Sequence, residues 1–289
     1  MSTDRAEELA RAWTAHRPRL VGVAYAVLGT RAEAEDVVSD CWLSLVAADG
    51  REPVRDVEAW ATVAVARRAL DVLRSARVRR EAYVGPWLPE PLVASGDPLD
   101  RITLDERVSY ALLVVLESLS PAERTAWVLH DLFGLPFADV AAAVGRTPAA
   151  VRKLAVRARA HVEAGAARVS VDRAEQQRVA AAFMAAAGGG DLAALVAVLD
   201  PDVVLTSDGG GVVSAARRPV HGADDVARFV LGISAKAWPD AVVRPALVTG
   251  APGFVVERSG VPALVGVLTV AAGRVVRVDL VLAPDKLPR

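Results

Sequence analysis

The chain has 289 residues, which at roughly 150 residues per domain predicts about two domains, each able to bury a core. Its 34 Lys and Arg against 35 Asp and Glu leave a net charge of -1, which excludes a uniformly basic nucleic-acid coat and an acidic disordered chain, so any nucleic-acid site is local. With 53% hydrophobic and 24% charged residues the composition is globular, and the long uncharged runs, 179–190 and 259–273, are shorter than the ~18 apolar residues that span a bilayer. No membrane partner is expected. The first twenty residues carry Asp4, Glu7 and Glu8 without an apolar core of the signal-peptide kind, and the single Cys41 supplies neither a disulfide nor a zinc site, so a cytoplasmic protein is expected. Cys41 itself reads as a small buried hydrophobe on a helix.

In chain order, apolar residues fall at helical spacing through Leu9, Trp13, Leu20, Val23, Ala24, Val27 and Leu28, and Gly29 stops the run. A second helix over about 32–46 sets Val37, Val38, Cys41, Trp42 and Leu45 on one stripe and Glu33, Glu35, Asp36 and Asp40 opposite. After a loop at Gly50 and Pro53, a third helix begins near Asp56, burying Trp60, Ala61, Ala69, Leu70 and Leu73 and leaving arginines outside. Residues 60–80 hold Arg67, Arg68, Arg74, Arg77, Arg79 and Arg80 against Asp71 alone, a local charge of +5. Residues 1–80 therefore read as a small helical bundle.

Residues 81–103 read as a linker: Pro86, Pro89, Pro91 and Pro98 exclude a continuous helix, and residues 81–145 carry a local charge of -7. A second helical domain follows over 104–168. There Ser120, Pro121 and Glu123 spell a capping box, and Gly134 ends that helix. Residues 137–144 form a short helix, Gly145 turns, and Thr147-Pro148 caps another with Val151, Leu154 and Ala155 inward, which is a helix-turn-helix pattern. Its second helix turns Ala149, Ala150, Arg152, Lys153, Val156 and Arg157 outward, small side chains that allow close approach to DNA beside cations that meet phosphates.

From residue 172 the texture changes. Helices over 174–187, 192–199 and 224–236 accompany β-rich runs at 203–206, 241–249, 253–258, 263–270 and 275–282. This predicts an α+β domain with a curved antiparallel sheet wrapped on helices, and makes the whole chain multidomain: two all-α units and then an α+β unit.

These segments resemble the bacterial sigma factors of the extracytoplasmic-function class. Residues 17–45 resemble the first part of sigma region two, residues 57–74 its promoter-reading part, and residues 119–162 region four. The YVGPWLPEPL linker and the tail resemble the group with a fused SnoaL-like domain, the sigma-J type, of cone-shaped NTF2-like fold. The group's DGGGK loop stands here as Asp208-Gly209-Gly210-Gly211-Val212 and its NPDKL terminus as Ala283-Pro284-Asp285-Lys286-Leu287, each departing by one residue.

The resemblance implies a protein that binds the RNA polymerase core, through its beta and beta-prime subunits, and directs it to promoter DNA, without cofactor or metal. It assigns Glu35, Asp36, Val37, Asp40 and Trp42 to the polymerase clamp, where an acidic face suits a basic partner, with core packing the other reading for Trp42. Trp60, Arg67, Arg68, Asp71 and Arg74 fall to the -10 element, and the loop 48–55 to a flipped base; Trp60 is equally readable as structural. Arg146, Thr147, Arg152, Lys153 and Arg157 fall to the -35 major groove. Trp87, Leu88, Pro89 and Glu90 of the linker, Asp208, Gly209, Gly210 and Gly211 of the loop, and Asp285, Lys286 and Leu287 of the tail are assigned regulatory contacts. The rival reading is an enzyme, with Asp208, His221 and Asp240 beside Trp238 as candidate bases, but no acid and base stand at a diagnostic spacing. A third reading gives the C-terminal pocket a small-molecule ligand.

Overall fold

The computed structural model describes residues 3–81, 83, 85–94, 108–166, 172–237 and 241–288. They form two compact units, the first built from stretches within 1–81, 95–108 and 115–164, the second from stretches within 82–94, 109–114 and 165–289. The chain thus enters the second unit twice before the α+β segment begins.

In the first unit, α1 (Thr3–Leu28), α2 (Arg31–Asp49) and α3 (Val57–Glu81) pack around Leu9, Val23, Val27, Val38, Leu45, Val65 and Leu73. α1 runs through Pro18 because that residue sits on the exposed side, where water can take over the bond its ring removes. Cys41 is buried on α2 and its thiol is pushed up to about 11 by burial, which keeps it protonated and inert. Val37 corrects an expectation: assigned to the polymerase-facing surface, it is 3% exposed and points into the bundle, because Val37, Val38 and Cys41 together fill the inner face of α2.

α4 (Tyr110–Leu116) is followed by α5 (Pro121–Trp127), which starts in the capping box read from the sequence: Glu123 N–H donates to Ser120 Oγ at 3.4 Å and Ser120 N–H returns to Glu123 Oε2 at 3.3 Å. α5 runs on into a π-helical turn, Val128–Leu132, before Gly134, so the helix closes with a wider turn than the periodicity predicts. α6 (Phe137–Val144), Gly145 at φ 69° and α7 (Pro148–Ala166) form the helix-turn-helix. Ala66 and Leu70 of α3 share a core with Ala141, Val144 and Val151, so the motif rests on the third helix.

The second unit holds α8 (Arg173–Gly189), α9 (Leu192–Val198), β1 (Leu199–Asp208), β2 (Val220–His221), α10 (Ala223–Ala237), β3 (Val242–Val248), β4 (Ala251–Arg258), β5 (Val261–Ala271) and β6 (Arg274–Val281). The strand order is β2-β1-β6-β5-β4-β3. The expected all-antiparallel sheet is corrected here. β3 to β6 form a meander, but β1 pairs β6 in parallel, with Asp208 opposite Val281, because the chain leaves β1 through α10 and the meander returns its last strand to β1's open edge. One sheet face packs on Phe183, Leu195, Val226 and Val230 of the helices. The other packs Val248, Val255, Val265 and Val267 against Tyr110.

Candidate nucleic-acid and polymerase interfaces

On α3 the charged candidates for the -10 element are all engaged, one with backbone and the others in exposed ion pairs. Arg67 Nη2 donates to Ala142 O of α6 at 2.9 Å, fastening the helix-turn-helix to α3. Arg68 reaches Asp40 of α2 at 3.2 Å, and Arg74 pairs with Asp71 one turn before it at 3.3 Å, both pairs in solvent. Trp60 is half-buried on the first turns of α3. Exposed pairs of this kind contribute little to stability, so their partners are readily exchanged for phosphate.

On α2, Glu35, Asp36 and Asp40 form an acidic outer face, with Glu35 bonded to Arg31 at 2.9 Å. Trp42 is half-buried with its ring centroid 5.6 Å from that of Trp13, which satisfies it by packing. Leu43 beside it is 69% exposed, an apolar residue in an acidic surface, off the inward stripe that helical spacing predicts.

On α7, Ala149, Arg152, Lys153, Val156 and Arg157 lie outward, and Val151 and Ala155 are buried, so the second helix of the motif shows a mixed basic and small-residue face. Arg146 and Thr147 are exposed at its start, and Thr147 Oγ1 accepts from Ala150 N at 3.3 Å. Arg152 lies 5.2 Å from the Phe137 ring centre. Arg157 Nε donates to Glu123 Oε1 at 2.9 Å; the bond from Ser120 first, and this guanidinium second, hold the Glu123 carboxyl below the usual carboxylate range.

The loop, tail and linker residues converge in the second unit. Because β1 and β6 run parallel, their C-terminal ends lie side by side, and the residues that follow each strand meet there. Asp208 is 0% exposed. Its Oδ2 accepts from Lys286 Nζ at 2.7 Å and Leu88 N at 2.9 Å; its Oδ1 accepts from Tyr83 Oη and from Gly210 N at 3.0 Å. Lys286 also donates to Leu88 O at 2.8 Å, and its Nζ stands 4.0 Å from the Trp87 ring centre. Gly209 is required because a Cβ there would meet Val213 O at 2.1 Å, and Gly210 and Gly211 both hold φ near 70°. Pro89 O accepts from Tyr110 Oη at 3.0 Å, Glu90 is half-buried, Asp285 is exposed and Leu287 packs near Tyr110 and Val248. Further on, Ala94 N bonds Leu247 O and Thr249 N bonds Leu92 O, so the linker runs against the end of β3.

Tyr83 heads the YVGPWLPEPL linker run but is not among the residues to which the resemblance assigns regulatory contacts; its place in that run is the signal that points to it. Burial, with help from the Asp208 bond, drives its phenol above the ordinary tyrosine range. Of the rival enzymatic set, Asp208 is fully occupied and His221 is exposed on β2, while Trp238 and Asp240 lie outside the described residues. A cavity of about 220 Å³ opens between the helices and the sheet, lined by apolar side chains such as Phe183, Met184, Val230, Phe254 and Leu264, with Ser234 its one polar side chain among the described residues.

Residues 12–79 match the Sigma-70 region 2 family and residues 109–162 the Sigma-70 region 4 family. The chain belongs to the extracytoplasmic-function sigma factors of RNA polymerase. It is 41% identical to the ECF RNA polymerase sigma factor SigJ of Mycobacterium tuberculosis over 284 residues, covering 93% of this chain and 90% of that one. The crystal structure of M. tuberculosis SigJ matches with a TM-score of 0.78 at 37% identity, over 96% of this chain and 97% of that one. The probable sigma factor SigI of the same species is 38% identical over 179 residues, 60% of each chain.

Proposed function

We propose that this sigma factor contacts the beta and beta-prime subunits of core polymerase through Glu35, Asp36 and Asp40 of α2, reads the -10 element with Arg68, Arg74 and Trp60 and, once released from Ala142, Arg67, and reads the -35 element with α7. The observation that carries the reading is the pairing of two outward basic helix faces, α3 and α7, within an otherwise neutral chain. The α2 face is acidic and α7 is basic, so the two faces suit partners of opposite sign. The loop 48–55, between α2 and α3, is assigned the flipped base. Work in the cytoplasm follows from this role.

The α+β unit acts as a regulator of the same chain. Its Asp208–Lys286 pair grips Trp87 and Leu88 of the linker, the segment joining the two sigma regions in sequence, so that loosening the grip changes how freely that segment moves. A catalytic role is disfavoured: the described lining of the 220 Å³ cavity offers no acid or base, whereas it suits a small apolar ligand. The test is transcription by purified core polymerase from the gene's own upstream region, with the full chain and with Lys286→Ala. Promoter-specific transcripts whose yield differs between the two support both parts; a folded protein that fails to bind core counts against the first, and equal yields against the second.

A further inference from the structure

The loop between α2 and α3 is held from a place that neither motif nor charge pattern marks. Asp49, at the end of α2, has a side chain 3% exposed. Its Oδ1 accepts from Val54 N at 2.8 Å and from Arg5 Nη2 at 2.7 Å, and its Oδ2 accepts from Arg5 Nε at 3.2 Å. The same Arg5 Nη2 donates to Val54 O at 2.8 Å. One guanidinium therefore fastens both ends of the 49–54 segment to the first turn of α1, and Arg5 precedes the 12–79 segment that matches region two. At the far side Asp56 Oδ1 accepts from Ala59 N at 2.9 Å and starts α3, so both flanks of the loop are fixed. Between them Arg51, Glu52, Pro53 and Arg55 stay exposed.

We propose that Arg5 and Asp49 are positioning residues for promoter opening, holding the 50–54 loop in the shape that receives an unstacked base of the -10 strand. This rests on the reading of the 48–55 loop as the base-holding element. Taking a base out of the stack costs free energy, and a loop that also had to order itself on contact would add to that cost. Arg5 removes the second cost in advance. Its planar fork serves the carboxylate and the Val54 carbonyl together, which a lysine's single ammonium cannot do in one geometry. Asp49, buried behind the loop, touches no DNA; its carboxyl is held below the usual range by the Arg5 bonds, so the clamp is engaged throughout the neutral range.

The experiment uses core polymerase bound to the full chain and single-stranded oligonucleotides of the non-template -10 element, intact or with an abasic site at each position in turn. The wild-type complex should lose affinity sharply at one abasic position. Arg5→Ala should bind the intact strand on the order of tenfold more weakly yet match wild type on that abasic strand, and Arg5→Lys should fall between. Core binding and thermal unfolding of each variant are read alongside. An equal loss on intact and abasic strands, or no loss on either, overturns the positioning role while leaving the base-holding loop standing. A wild-type complex indifferent to every abasic site overturns both.

Discussion

Lys286 Nζ lies 2.7 Å from Asp208 Oδ2, with both side chains out of solvent, and the same ammonium caps the carbonyl of Leu88. The pair is satisfied on all sides by hydrogen bonds and an aromatic face, the condition under which a buried ion pair is retained without net penalty. Removing one partner leaves an uncompensated charge. Lys286→Met should destabilise the chain by ~3–5 kcal/mol, and Asp208→Asn combined with it should recover part of that loss. Urea unfolding of the four proteins reads this, and strictly additive losses would count against the coupling.

Tyr83 gives the site a pH signature. Its phenol titrates higher in the folded chain than the ~10 of an unfolded tyrosine, so its contribution is fully present below pH ~10 and is lost as pH rises through the folded value. The thermal midpoint should therefore fall more steeply above pH ~10 in wild type than in Tyr83→Phe. Parallel profiles would show that the phenol is not coupled to folding.

For α7, replacing Arg152 and Lys153 with Ala should each reduce the salt slope of promoter binding by ~0.9, the amount released per phosphate contact. Arg157 is bonded to Glu123, so Arg157→Ala should lower the slope by less than either. Filter binding across a salt series decides, and an unchanged slope in the double variant would remove α7 from the DNA.

Arg74 pairs only with the exposed Asp71 among the described residues, so Arg74→Ala should leave core binding intact while lowering open-complex yield. Arg67→Ala also frees Ala142 of α6 and should alter both the helix-turn-helix seat and promoter opening. Fluorescence detection of core binding beside permanganate footprinting separates the two, and loss of core binding in Arg74→Ala would move that residue to the polymerase interface.

Much of this architecture was readable in the residues. The capping box at Ser120 and the glycine turn at Gly145 are local devices whose spacing carries the information, and they stand where the sequence placed them. The α2 stripe is readable too: Val37, which the resemblance assigns to the polymerase, lies on its buried side as the helical spacing predicts. The parallel pairing of β1 with β6 was not legible, because strand partners separated by a helix and four strands leave no local trace. That one pairing decides why the loop after β1 and the tail after β6 meet; each motif was visible, but not its partner. Arg5 carried no signal, being one charge in an already charged helical turn.

The parallel seam also has a meaning in time. During synthesis β1 appears long before β6, and until that final strand arrives one edge of β1 stays open and Asp208 has no lysine to meet. The helical part of the chain is made first and is already at hand, whereas the α+β unit can close only when its last segment has been delivered. A newborn molecule thus passes through a period in which the Trp87–Leu88 segment has no finished site to hold it.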